Sequence, residues 1–148
     1  MCVAAYISPA GKELLLGEKD IAEKLLEDYN DVFSDIVNNL VFGGSEVVDE
    51  RELEPAMTRS IYRGEKKFRE HERDTAKYWK RKNIRIAFFG FENETVPEDD
   101  MPFRVIGYDG AAYRDQIQFK KDRNEHRRKI MTRFPVITLV LYFGYKKQ

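Results

Sequence analysis

The sequence predicts a mixed α/β (α+β) fold in which a central mixed sheet is flanked by helices, and three observations predict it. Apolar residues recur at Ile21, Leu25, Tyr29, Val32/Phe33, Ile36/Val37 and Leu40, the three-and-four spacing of one helix face, and Gly43-Gly44 ends the run. Two strand candidates, Asp74 to Trp79 and Ile84 to Glu92, lie either side of Lys80, Arg81, Lys82 and Asn83, which have turn character, so they read as an antiparallel hairpin. Phe134 to Phe143 is nearly continuous in apolar residues, the pattern of a strand covered on both faces.

The acids Glu23, Glu27, Asp28, Asp31 and Asp35 are interspersed along the first helix and need only an outer face in water. Val47 to Pro55 is too short and too charged to assign, and Arg59 to Tyr62 followed by Gly64 has the character of a strand and turn. Asp99 and Asp100 ahead of Pro102 mark a helix start, and Phe103, Ile106, Tyr113 and Ile117 supply its expected core stripe despite Gly107 and Gly110. The expected order is helix, three strands, helix, strand.

With 148 residues, the chain is long enough for one core and too short for two. The longest apolar run, Val136 to Phe143, is far below the roughly 20 residues that cross a bilayer, so no membrane partner is expected. Met1 to Ile7 lacks the features of a secretory signal, and the lone Cys2 has no internal disulfide partner; a cytoplasmic location follows as the expectation. The formal charge of zero hides a division: residues 1–60 carry 5 basic and 13 acidic side chains, and residues 61–148 carry 21 and 13. Basic residues cluster from Arg63 to Arg85 and from Lys120 to Arg133, which suits either solvated faces or phosphate contact.

Glu92 and Glu94, two apart near a strand end, point to the same face. A three-residue loop of Arg81, Lys82 and Asn83 would set Asp74 opposite Gly90, diagonal to Glu92 and about 7 Å away between backbones. A four-residue loop would turn Asp74 to the other face unless a bulge corrects the parity. Grouped strand-end acids make a minimal cage for a hard divalent cation such as Mg²⁺, which takes oxygen ligands and keeps waters for a phosphate to displace. The same three acids also suit plain solvent-facing strand ends, and spacing alone does not decide. His71 and His126 have no partner at a ligand or triad spacing, Trp79 suits the core, and the glycines match no phosphate loop.

Several ordered blocks resemble the recombination-promoting nuclease / putative transposase family, a branch of the PD-(D/E)XK nuclease superfamily. They are Lys19-Asp20-Ile21-Ala22 with Asn30-Asp31-Val32-Phe33, Glu72-Arg73-Asp74 leading to Trp79, Ile84-Arg85-Ile86-Ala87 running into Glu92-Asn93-Glu94-Thr95, Met101 to Arg114, and Phe134 to Gly144. The resemblance spans roughly residues 19–144, and where it begins sets the expected division: residues 1–18 as an N-terminal tail and 19–148 as one domain. It implies a restriction-endonuclease-like αβββαβ core that cleaves DNA with Mg²⁺, or Mn²⁺ in its place. It further implies Asp74 and Glu92 as the ligand acids, the backbone carbonyl of Asn93 as a third oxygen, and Asp31 as an additional acid from the first helix. Glu94 stands where the family has Gln and the superfamily Lys. A glutamate there can bind metal or accept a proton, but it adds charge where the scissile phosphate arrives.

Two functional readings follow. In the first, the chain is a metal-dependent endonuclease on double-stranded DNA, associated with recombination or mobile elements, with catalytic Asp74, Glu92 and Glu94. Arg73, Lys77, Arg81, Lys82 and Arg85 then bind DNA, and assembly is as a homo-oligomer. In the second, the chain is a catalytically impaired family member, shortened at its C-terminus, that binds DNA or a partner.

Overall fold

The apolar repeat between Ile21 and Leu40 is helical, but it is cut in two at Tyr29, whose φ of −71° and ψ of 128° are extended. The computed structural model describes residues 2–6, 16–63, 68–122 and 133–144. Helix α1 is Leu16–Asp28 and α2 is Asn30–Val41. The break is held by Lys77, whose Nζ donates to the Asp28 carbonyl at 2.5 Å and to Asn30 Oδ1 at 2.7 Å. Beyond the break, α2 buries Phe33, Ser34, Val37 and Asn38, as an amphipathic helix should. Its C-terminus is closed by Gly44 N–H donating to the Asn38 carbonyl at 2.9 Å, and Gly43 and Gly44 have φ of 63° and 86°.

Strands β1 Cys2–Tyr6, β2 Leu53–Pro55, β5 Thr75–Arg81, β6 Ile84–Glu94 and β7 Val136–Tyr142 form one sheet in the order β1-β7-β6-β5-β2. The β1–β7 and β6–β7 pairs are parallel, and the β5–β6 and β2–β5 pairs antiparallel. Strands β3 Arg59–Arg63 and β4 Phe68–Glu72 form a separate hairpin. Thus residues 2–6, expected within a tail, instead supply an edge strand. The short segment left unassigned contains a 3-10 turn, Glu50–Glu52, and β2.

The β5–β6 connection is a two-residue turn, shorter than either expected loop. Lys82 and Asn83 have φ of 48° and 64°, the left-handed pair that matches strand twist in tight hairpins. A register shift between Trp79 and Lys80 then restores parity, giving Trp79 opposite Ala87 and Thr75 opposite Phe91. One further step along that register sets Asp74 opposite Glu92.

The sheet is covered on both faces, as expected. On the α2 side lie Phe33, Val37, Leu53, Trp79, Phe89, Phe91 and Leu139, with the Phe33 and Phe91 rings stacked 4.1 Å apart. On the other side, Met101 and Val105 of α3, Met101–Asp122, pack on Val140. The inward residues of α3 are Met101, Val105, Tyr108 and Ala111. The expected stripe faces outward instead, with Phe103 73% and Ile106 67% exposed and Tyr113 and Ile117 also exposed. Two apolar stripes share one helix, and spacing does not select between their phases. No helix of the described residues is long and apolar enough to cross a membrane. Gly64, Lys66, Lys67, His126 and most of the Lys120 to Arg133 cluster lie outside the described residues.

Candidate functional site

The antiparallel β5–β6 pairing brings the start of β5 to the end of β6, so acids 18 positions apart in sequence become neighbours. Asp74 sits in the bend before β5, where its Oδ2 accepts the Asn93 backbone N–H at 2.8 Å. Its Oδ1 meets the Lys24 ammonium of α1 at 2.9 Å. Glu92 is 1% exposed, and its Oε2 is met by the Arg104 guanidinium of α3 at 3.4 Å. Burial first, and then the Asp74 charge, push the Glu92 carboxyl up to about 8, against the pull of Arg104, Arg73 and Lys24. Glu94 is raised by its partial burial and by Glu98.

A further acid comes from α1. Glu27 is 2% exposed and accepts the Thr75 hydroxyl at 2.8 Å. Burial raises its carboxyl to about 7 despite that hydrogen bond, and Asp74 and Glu23 add to the rise. Glu23, one turn earlier, is also buried. Helix α1 is therefore inverted relative to the expectation: Ile21, Leu25 and Leu26 are exposed, while Glu23 and Glu27 face inward. Their i, i+4 spacing on the face away from Ile21 and Leu25 was the signal available in the sequence.

The Oε1 atoms of Glu92 and Glu94 are buried without a hydrogen-bond partner, while the Asn93 side chain lies against Glu27 and lowers its carboxyl in part. Buried carboxylate oxygens of this kind are satisfied by a proton or a cation. As the side chains stand, no three Asp, Glu, His or Cys side chains among the described residues are grouped closely enough to enclose an ion.

Behind the acids lies a buried arginine. Arg73 is sandwiched between the Phe88 and Tyr108 rings at 5.2 and 5.3 Å, and its guanidinium donates to Thr138 Oγ1 and, at 3.1 Å, to Asp109. The Thr138 hydroxyl in turn donates to Asp109 at 2.6 Å. Gly90 makes the room: a Cβ there would fall 2.9 Å from Arg73 Cδ and closer still to its Nη1. Arg73 thus anchors the bend that aims Asp74.

The residues expected to bind DNA are placed otherwise. Arg73 and Lys77 are buried structural cations; burial draws the Lys77 amine below its ordinary range, offset in part by Asp28 and Asp31. Arg81, Lys82 and Arg85 are exposed, but they lie at the turn end of the hairpin. Seven residues of strand separate Arg81 from Asp74, roughly 20 Å at ~3.3 Å per residue. Arg81 is also engaged, with Glu52 at 3.0 Å and over the Trp79 ring, and Arg85 lies over the Tyr78 ring. Asp31 is exposed on α2, in an open cleft with Asp35, Arg51, Glu52 and Arg81, so the α1 acid beside Asp74 is Glu27 instead, with Glu23 next to Glu27. His71 lies in β4.

The geometry offers an acid pair, the half-buried Asp74 and the buried Glu92, with Glu27 alongside and Lys24 and Arg104 as cations from two helices. Such a set can hold a hard divalent ion or store and pass a proton. Compared with protein-family models, curated proteins and solved structures, the chain finds no match in any of the three.

Proposed function

We propose that the chain is a divalent-cation-dependent DNA endonuclease of the PD-(D/E)XK kind, as the resemblance to the recombination-promoting nuclease / putative transposase family implies. The observation that carries this reading is Glu92: a buried strand-end carboxyl with an unpartnered Oε1, opposite Asp74 in the hairpin register. The two-sided helix–sheet packing and the order α2, β2, β5, β6, α3 and β7, with the β3–β4 hairpin inserted after β2, suit the αβββαβ core.

The donors fit a hard cation, because the orphaned oxygens are carboxylates whose burial makes a bare charge costly. Asp74, Glu92 and the Asn93 carbonyl would hold Mg²⁺ or Mn²⁺, with Glu27 alongside. When bound, such an ion supplies Lewis acidity and a bound water of lowered pKa. Glu94, half-buried and raised, would accept a proton in this reading. Double-stranded DNA as substrate, self-association and a cytoplasmic setting belong to the same proposal.

Supercoiled plasmid at low salt tests it, with Mg²⁺, Mn²⁺ or EDTA and with Asp74→Ala in parallel. The proposal expects relaxation that requires the metal and is lost in Asp74→Ala. An uncut plasmid from folded protein under every condition overturns it in favour of a non-catalytic DNA- or partner-binding role. That second reading draws on Glu94 and on the cations already lying against Asp74 and Glu92.

A further inference from the structure

We propose that Lys24 and Arg104 are exchangeable counter-ions of the acid site: they neutralise Asp74 and Glu92 while no divalent cation is bound, and are released to hold phosphate oxygens once one is. This rests on the nuclease reading and adds to it a coupling between cation and DNA binding.

The two cations come from different elements, Lys24 from α1 and Arg104 from α3, and each touches a different acid: Lys24 meets Asp74 at 2.9 Å and Arg104 meets Glu92 at 3.4 Å. Both side chains are 41% exposed, so both reach solvent from contacts with buried or half-buried acids. Arg104 has three partners. Its Nη1 is tied to Glu98 at 2.9 Å, and Nη2 donates to the Tyr108 hydroxyl at 3.3 Å beside the longer contact to Glu92 at 3.4 Å. The Nη1 tie keeps the guanidinium at the site when Nη2 lets go.

The other hairpin cations cannot take this place. Arg73 and Lys77 are buried on internal partners, and Arg81, Lys82 and Arg85 belong to the far end of the strands. A phosphodiester approaching the acids is repelled by Asp74, and by Glu92 and Glu27 wherever they are ionised, unless that charge is compensated. A divalent ion on the acids removes that repulsion and, by displacing Lys24 and Arg104, frees two positive groups within reach of the incoming phosphate. Reciprocity then requires that DNA tighten cation binding by the same factor.

The test measures a labelled short duplex binding to the full chain by fluorescence anisotropy, in EDTA and in Ca²⁺, and Ca²⁺ binding alone by calorimetry. Wild type should bind the duplex about tenfold more tightly with Ca²⁺ than without. Lys24→Met and Arg104→Met should lose most of that gain, yet bind Ca²⁺ alone more tightly because an internal competitor is gone, and Lys24→Arg should retain the gain. Circular dichroism establishes that each variant is folded. If the methionine variants lose DNA affinity equally with and without Ca²⁺, or keep the full gain, or bind Ca²⁺ no more tightly, the counter-ion exchange is wrong while the nuclease reading stands. A wild type that takes up no Ca²⁺, Mg²⁺ or Mn²⁺ overturns both.

Discussion

The Asn93 backbone N–H donates to Asp74 Oδ2 at 2.8 Å, and this bond locks the acid before β5 to the strand that carries Glu92 and Glu94. It gives Asp74 two separable roles, one as acceptor and one as charge. Asp74→Asn keeps an acceptor and should cost little stability, whereas Asp74→Ala leaves the Asn93 N–H unpaired and should cost about 1–3 kcal/mol. Both should abolish plasmid cutting. Denaturant unfolding beside the cleavage assay separates the two roles.

The raised carboxyls set a pH dependence. Glu92 at about 8 and Glu27 at about 7 bind protons more tightly in the folded chain than in the unfolded one, where such groups titrate near 4.5. Their contribution to stability is therefore complete below about pH 4.5 and is lost as pH rises through 7 to 8. Unfolding free energy should decline from pH 5 to pH 8.5 in EDTA, and Glu92→Gln should flatten the decline. Added Mg²⁺ should stabilise more at pH 8.5 than at pH 5, because at pH 5 the ion has to displace protons that the acids have already lost at pH 8.5.

Gly90 and Arg73 form a second testable pair. Gly90→Ala crowds the guanidinium and should destabilise by about 1–3 kcal/mol. Arg73→Met strands Asp109 and the Thr138 hydroxyl beside a lost cation, and should cost about 3–5 kcal/mol. Neither change should alter the salt dependence of DNA binding, since Arg73 does not face solvent.

The phase of α3 is open to direct measurement. Met101→Ala should cost about 2–5 kcal/mol as a core truncation, while Phe103→Ala should stay within about 0.5 kcal/mol as a surface change. The reverse ranking would restore the stripe of Phe103, Ile106, Tyr113 and Ile117 as the inward face.

The strands and the hairpin were legible because β6 and β7 have long apolar runs, and in β6 Phe89 and Phe91 take one face while Phe88 takes the other. The neighbourhood of Asp74 and Glu92 followed from that hairpin. The register did not, because a two-residue left-handed turn at Lys82-Asn83 and a bulge at Trp79/Lys80 shift it in compensating steps. Helix phases were lost for two reasons: α3 carries two apolar stripes, and α1 buries its acids Glu23 and Glu27 at the site while leaving Ile21 and Leu25 outside. Burial of Arg73 and Lys77 was hidden for a different reason, since a cation satisfied by Asp109 or by the Asp28 carbonyl looks, in sequence, like any surface charge.

The most direct test of the acid site is Mn²⁺ binding followed by electron paramagnetic resonance, with wild type, Asp74→Asn and Glu92→Gln compared at pH 7.5. The account predicts saturable Mn²⁺ binding by the wild type that is lost in both variants while each remains folded. Equal binding by all three proteins, or no binding by any, would contradict a cation site built on Asp74 and Glu92.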